Sequence, residues 1–191
     1  MKTRSVITII GWLVSGILLF LWQEKYLPFH YEYIEQFRLF HYSADYFIEH
    51  CSYPSGIIEY LGSFLIQFFN QPHVGAGIVT FLLLSVGIGI QQIFKRIVSH
   101  VDMPLAYLLP TLFLLFAGMD INYHLEGTLA FALSVWFLNI QVSFVRPVHR
   151  MISGVLLSWA LYYLAGPAFA LFALCSVIYE WHKRELSMMY S

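Results

Sequence analysis

Long apolar runs, separated by short polar stretches, dominate this chain. Val6 to Trp22 reads VITIIGWLVSGILLFLW and holds no charged side chain. Val74–Phe94, Pro104–Met119 and Thr128–Val145 repeat the pattern, the last two bounding a short polar loop, and Lys95 and Arg96 end the first of them. A bilayer core takes about 20 apolar residues as helix, within about 17–25, so each run predicts a membrane span. Pro110 predicts a kink in the third. A last apolar stretch, Met151 to Tyr179, would measure about 43 Å as one helix, longer than the membrane core. Gly166-Pro167, a breaker pair, predicts that it splits in two; one tilted helix is the alternative. After Trp22 come Gln23, Glu24, Lys25 and Tyr26 with no small-x-small cleavage site, so the first span reads as an uncleaved anchor.

Between the first two spans the period changes. On a helical wheel, residues 31–51 put Tyr33, Phe37, Phe40, Ala44, Phe47, Ile48 and Cys51 on one face. Glu35, Arg38, His41, Tyr42, Asp45 and Glu49 take the other. That spacing predicts an amphipathic helix lying in the membrane interface. Pro54-Ser55-Gly56 then turns the chain, and residues 57–70 predict a second such helix. There Ile57, Leu61, Phe64, Leu65 and Phe68 oppose Glu59, Ser63, Gln67 and Asn70. The expected fold is therefore all-α and integral to the membrane. It is one domain over 1–191 with about six spans, near 6–22, 74–94, 104–119, 128–145, 152–165 and 168–181. Two interfacial helices sit in the first external loop.

Composition agrees. The chain of 191 residues is 59% hydrophobic and 11% charged, its mean hydropathy is +0.69, and soluble domains carry about 25% charged residues. A net charge of −1 excludes a basic nucleic-acid binder. Cys51 and Cys175 are the two cysteines, too few for a disulfide framework. With six spans and the N-terminus inside, Lys2, Arg4, Lys95, Arg96, Arg146, Arg150, Lys183 and Arg184 all fall on the cytoplasmic side, as the positive-inside rule requires. The unsplit last helix would strand Lys183 and Arg184 outside. Glu24, Glu32, Glu35, Asp45, Glu49, Glu59, Asp120 and Glu126 fall on the external side, against two cations there, Lys25 and Arg38. The expected location is a bacterial inner membrane with both termini cytoplasmic.

Candidate chemistry gathers on the external side. His41, Asp45 and Glu49 recur at i, i+4 and i+8, one row on a helix. One reading is a solvated face with local Glu35–Arg38 and His41–Asp45 pairs, each stabilising by about 0.2–0.5 kcal/mol. The other is a site. A carboxylate beside an imidazole removes a proton from a bound hydroxyl, and such a row of ligands is also compatible with a divalent metal, although it matches no metal motif. The loop MDINYHLEG brings Asp120, His124 and Glu126 to the same side; its simplest meaning is a polar turn. Two acidic loops beside lipid suit a substrate with a lipid tail and a polar head.

Several signals are missing. There is no Walker A loop, H-E-x-x-H, G-x-S-x-G or C-x-x-C, and no metal or cofactor is assigned. No span carries an Asp, Glu, Lys or Arg in its middle, which argues against an ion pathway. Gly11/Ser15, Ser85/Gly89, Ala130/Ser134 and Gly154/Ser158 have the small-xxx-small spacing that lets helices approach. Asn139 and Gln141, inside the fourth span, predict hydrogen bonds between helices.

The segments EYIEQFRLFHYSADYF, PSGIIEYLGSFLIQFF and YYLAGPAFALFAL resemble, over nearly the whole chain, the N-terminal part of a bacterial family of uncharacterised multi-pass membrane proteins. That resemblance implies a location and no activity. The layout is also similar to the membrane module of GT-C glycosyltransferases, which transfer sugars from lipid-phosphate donors: a span, an outer loop of interfacial helices with an acid, and a second acidic loop between later spans. No DxD pair stands in either loop. By that resemblance Asp45, with Glu35 or Glu49, matches the first acidic position and Asp120 or Glu126 the second. Asp45 would be the general base with His41 as its partner. Arg38 would contact phosphate, and Tyr42 and His124 would complete the binding set. The implied partners are membrane lipid and a lipid-linked sugar. The alternative is a non-catalytic membrane subunit whose aromatic helices dock a protein or lipid.

Overall fold

The computed structural model describes residues 2–36, 39–71, 73–97 and 104–189. Among these the chain is helical throughout its ordered elements and has no strand. Six long helices run up and down: α1 (Lys2–Tyr26), then, after a three-helix insertion, α5 (Val74–Ile97), α6 (Pro104–Ala117), α7 (Leu125–Ser143), α8 (Pro147–Ala165) and α9 (Ala168–Met189). The insertion holds α2 (Pro28–Gln36), α3 (Ala44–Cys51) and α4 (Gly56–Ile66), extended by a 3₁₀ turn over Gln67–Asn70. It caps one end of the bundle.

Hydrogen bonds between elements fix the directions. His30 on α2 bonds the Gly118 carbonyl at the end of α6 at 2.8 Å. Ser55, ahead of α4, donates its N–H to the Tyr163 carbonyl near the end of α8 at 3.0 Å. At the far end, Arg96 on α5 donates to the Asn139 carbonyl of α7 at 2.7 Å. Among the described residues, three helices are long and apolar enough to cross a membrane: Val6–Tyr26, Val74–Ile97 and Leu125–Ser143, with Tyr107–Ala117 a shorter apolar one. Pro110 leaves α6 unbroken. Gly166, with φ +56°, ends α8, and α9 starts two residues later, so the last apolar stretch is a hairpin of two helices. A side chain at Gly166 would also meet the Ser55 side chain at 2.9 Å.

The core lies along α5 and α7, where Leu83, Val86, Val135 and Leu138 are buried with Leu161 and Phe172 from the hairpin. Small residues let the helices close. A Cβ at Gly89 would stand 2.6 Å from Val135, and one at Gly87 2.5 Å from the Trp12 ring. Of the expected small-residue pairs, Ser85/Gly89, Ala130/Ser134 and Gly154/Ser158 meet neighbours, whereas Gly11 faces open space. The outside is apolar: Ile7, Leu13, Ile17 and Leu18 on α1, Phe113 and Phe116 on α6, and Trp159 on α8 at 78% are exposed. So many exposed large apolar residues are unusual for a surface facing water, and with the three apolar helices they point to a membrane location.

The single helix expected over residues 31–51 is not formed. α2 ends at Gln36, residues 39–43 are non-helical, and α3 begins at Ala44. Ser43 is the N-cap of α3, its side chain accepting from the Tyr46 N–H at 3.2 Å, and capping by a short hydroxyl stops a helix from running back through that residue. The second amphipathic helix forms, but with another face inward. Gly56, Ile58, Gly62, Ser63 and Ile66 are buried, and Leu61, expected on the apolar face, is exposed. α4 lies on α7 and α8; glycine at 62 lets it approach α7, and Ile58 and Ile66 are buried beside it.

Candidate functional site

The cap is built from rings. Phe40, in the non-helical stretch, touches Tyr42, Tyr46, Tyr60 and Phe64 at centroid distances of 5.0, 5.4, 4.9 and 5.5 Å. Tyr60 of α4 also takes Phe47 at 5.2 Å. These tilted and edge-on pairs join α3 to α4, each adding about 0.5–1.5 kcal/mol beyond its burial. Of the rings expected on the apolar face of residues 31–51, Phe40 packs among other rings, whereas Tyr33 and Phe47 stay exposed, Phe47 touching Tyr60. The turn between α3 and α4 is equally specific. Ser55 has φ 73°, and its hydroxyl donates to Glu59 at 2.7 Å while the Tyr53 hydroxyl donates to the other carboxylate oxygen at 3.0 Å. Partial burial, then the Glu59 carboxylate, raises the Tyr53 pKa above the ordinary phenol value. A side chain at Gly56 would overlap the His50 carbonyl, 1.8 Å away.

α2 is pinned by buried polar groups. Tyr31 donates its hydroxyl to the Gln23 side-chain Oε1, and the Gln23 side-chain amide donates to Thr80 at 2.8 Å and to the Leu19 backbone carbonyl at 3.2 Å. Gln23 is fully buried. Burial, with the Glu24 charge second, holds the Tyr31 hydroxyl well above the usual phenol range. A small cavity of about 40 Å³ borders this network, lined by Leu27, Ile34, Leu114 and Tyr123 among others.

The candidate residues separate on this frame. His41 precedes α3, so it does not share a helical row with Asp45 and Glu49; its ring packs on Tyr46 at 5.7 Å. His41, Tyr42, Asp45 and Glu49 are exposed, and Tyr42 donates to Gln67 at 2.7 Å. Glu35, half-buried, is on α2. Among the described residues no group of three His, Cys, Asp or Glu is placed to hold a metal ion, so the row read as a metal ligand set is broken up. Arg38 and Phe37 lie outside the described residues, as do the side chains of Lys2, Arg4 and Arg184.

In the second acidic loop, Asp120 is exposed and serves its own turn, accepting from the Asn122 backbone and side chain at 2.9 and 3.2 Å. His124 is the exposed residue preceding α7. Glu126 differs from every other candidate. It is 7% exposed, in the first turn of α7, where α4 crosses above it. A Cβ at Gly62 would stand 2.6 Å from the Glu126 Cγ. Glycine at 62 thus makes room for this carboxylate, and the helix N-terminus favours its negative charge. The structure sets one acid of the predicted group into the protein and leaves the others on its surface.

Sequence reasoning missed the polar contacts of the hairpin. Arg150 is 6% exposed and grips Glu180 with two bonds, at 2.7 and 3.2 Å. A hairpin turn at Gly166-Pro167 brings residues at similar distances on either side opposite each other, which was the available signal. The expected bonds from α7 are present: Asn139 donates to the Gly89 carbonyl at 2.9 Å and Gln141 to the Ser176 hydroxyl at 2.6 Å.

No curated protein and no solved structure matches this chain. The profile of the family of unknown function DUF6057 matches residues 2–191, and the chain belongs to that family.

Proposed function

We propose that this chain is a six-pass membrane domain whose cap, α2–α4 with the α6–α7 loop, receives the polar head of a lipid-borne substrate, in a layout like that of the GT-C membrane module. The buried Glu126 carboxylate beneath Gly62 carries the reading. A carboxylate costs free energy to bury, and the glycine above it is a space kept for it. In this role Glu126 takes the proton from an acceptor hydroxyl as that oxygen bonds to the sugar carbon and the lipid phosphate leaves. Asp45, Glu49 and Asp120 are then surface carboxylates that raise the negative potential around the entrance, with His41 a polar surface group beside them. Arg38, Tyr42 and His124 are contacts for the head group. The compartment is a bacterial inner membrane, both termini cytoplasmic, supported by the charge bias of the helix ends.

The test is Glu126→Gln and Asp45→Ala in the native host, with lipid-linked glycans profiled by mass spectrometry at matched protein level. Loss of a product with Glu126→Gln and its retention with Asp45→Ala is expected. Retention in both defeats the catalytic reading. The second reading, a non-catalytic subunit, is favoured by the apolar residues the cap leaves outside, Phe29 at 82% and Leu39 at 80% exposed. It predicts that Leu39→Glu releases a co-purifying protein while Glu126→Gln leaves the glycan profile intact.

A further inference from the structure

The end of the bundle opposite the cap has a cleft and a groove that share one wall. The cleft, about 350 Å³, is lined by Arg96, Arg150 and Lys183 with Tyr179 and the last residues of α7. The groove, about 780 Å³, runs between α8 and α9 past Met151, Val155, Ser158, Val177 and Trp181, and is mostly apolar. That volume falls within the about 300–1,000 Å³ of small-molecule sites. The Arg150–Glu180 pair divides the two spaces, with Arg150 facing the cleft and Glu180 the groove. Glu180 cancels the charge of Arg150. Arg96 and Lys183, both exposed, are left as excess positive charge in the cleft.

The groove floor adds a second, independent feature. Gln141 is 1% exposed and lines the groove, and its amide nitrogen is used by Ser176, yet its Oε1 is buried with no donor. Gly154 keeps the floor open, since a Cβ there would meet the Gln141 amide at 2.6 Å. A buried acceptor without a donor costs about 1–3 kcal/mol, and a hydroxyl entering from the groove would satisfy it.

We propose that this end binds an anionic glycerophospholipid of the adjoining leaflet, its phosphate between Arg96 and Lys183, a headgroup hydroxyl at Gln141 and an acyl chain between α8 and α9. The proposal rests on the reading of the bundle as membrane-embedded. It does not depend on any chemistry at Glu126. Charge selects the headgroup, because one basic side chain near an anionic leaflet enriches such lipid by about fivefold.

The test uses the full chain in phosphatidylcholine nanodiscs containing a fraction of phosphatidylglycerol, with bromine on the acyl chains of one lipid at a time. Bromine quenches tryptophan fluorescence on contact, and Trp181 lines the groove, so the groove signal is the part lost in Trp181→Phe. Brominated phosphatidylglycerol should quench that part more strongly than brominated phosphatidylcholine at equal bromine content. Lys183→Gln, at an exposed position, should remove most of the excess. Val155→Phe, which fills the groove and keeps the charges, should reduce quenching by both lipids. Equal quenching by the two lipids in the unaltered chain overturns the proposal, as does an excess that survives Lys183→Gln. An excess abolished by added inorganic phosphate means a free-anion site and overturns it too. If no tryptophan is quenched by either lipid, the membrane reading fails along with it, whereas an altered glycan profile in Glu126→Gln bears on the cap alone.

Discussion

Two seams of this molecule are closed in opposite ways. The α5–α7 seam closes on absent side chains: glycine at 89 and serine at 85 let the backbones approach until Val135 and the Trp136 ring fill the gap, while glycine at 87 admits the Trp12 ring of α1 on another side of α5. The α3–α4 seam closes on the largest side chains available, with Phe40 and Tyr60 at its centre. In lipid, apolar area gives little drive for one helix to meet another, so close packing and interhelical hydrogen bonds do the joining. Where water is near, ring burial provides the drive. The change from small-residue to ring-based packing is the one expected if the bundle lies in lipid, as proposed, and the cap meets water. The polar groups follow the same division. In the bundle they are buried and bonded between helices, as with Asn139 and Gly89, whereas α3 carries Asp45 and Glu49 on its surface.

The comparison breaks most severely at Gly56. Gly56→Ala should cost about 3 kcal/mol or more, above the usual 1–3 for overpacking, because the obstruction is backbone. Limited proteolysis should then cut near residues 39–56 while the helicity of α5–α9, followed by circular dichroism, persists. Cooperative loss of the whole bundle would show that the two seams are not separable. At Gly89, leucine should cost about 1–3 kcal/mol, and the loss should appear as a lowered unfolding midpoint in mixed micelles.

Tyr31→Phe tests the joint between the two regions. It leaves the Gln23 oxygen buried without its donor, for about 1–3 kcal/mol. It should also change the alkaline limb of the stability curve. The hydroxyl titrates higher in the fold than unfolded, so the folded chain holds more protons once pH passes about 10 and stability falls from there upward. The phenylalanine variant should lose that part of the fall, measured as the unfolding midpoint against pH. In the ring seam, Phe40→Ala should remove about 0.5–1.5 kcal/mol for each ring pair it breaks and speed cleavage of the cap. Asp45→Ala, on an exposed face, should fall within about 0.5 kcal/mol of no change; a clearly larger loss would mean that the ion is held by the structure after all.

The long helices were legible because the property that defines them is local. A run such as Val74–Phe94 declares its helix by length and composition, and Gly166-Pro167 declares its break by backbone chemistry. The break before α3 was legible as well, in the N-cap Ser43 followed by Asp45 in the first turn, but the apolar period ran through it and outweighed it. Periodicity records which positions share a face and is silent on what the face meets. So residues 57–70 read as a helix resting in the membrane interface, although α4 packs on α7 and α8 and buries Gly56, Ile58, Gly62, Ser63 and Ile66. Glu126 stood among eight acids of one side with nothing in its neighbours to set it apart. Its burial depends on Gly62, more than sixty positions earlier in the chain.

By itself, then, the sequence determined that this is a chain of apolar helices, roughly where the long ones lie, and that the last apolar stretch breaks at Gly166-Pro167, since each follows from the residues of one segment. Which acid is enclosed, which face of α4 is inward, and which cations share a cleft were decided by the tertiary structure alone. Those depend on how closely distant backbones approach, and that distance is set jointly by side chains from separate helices.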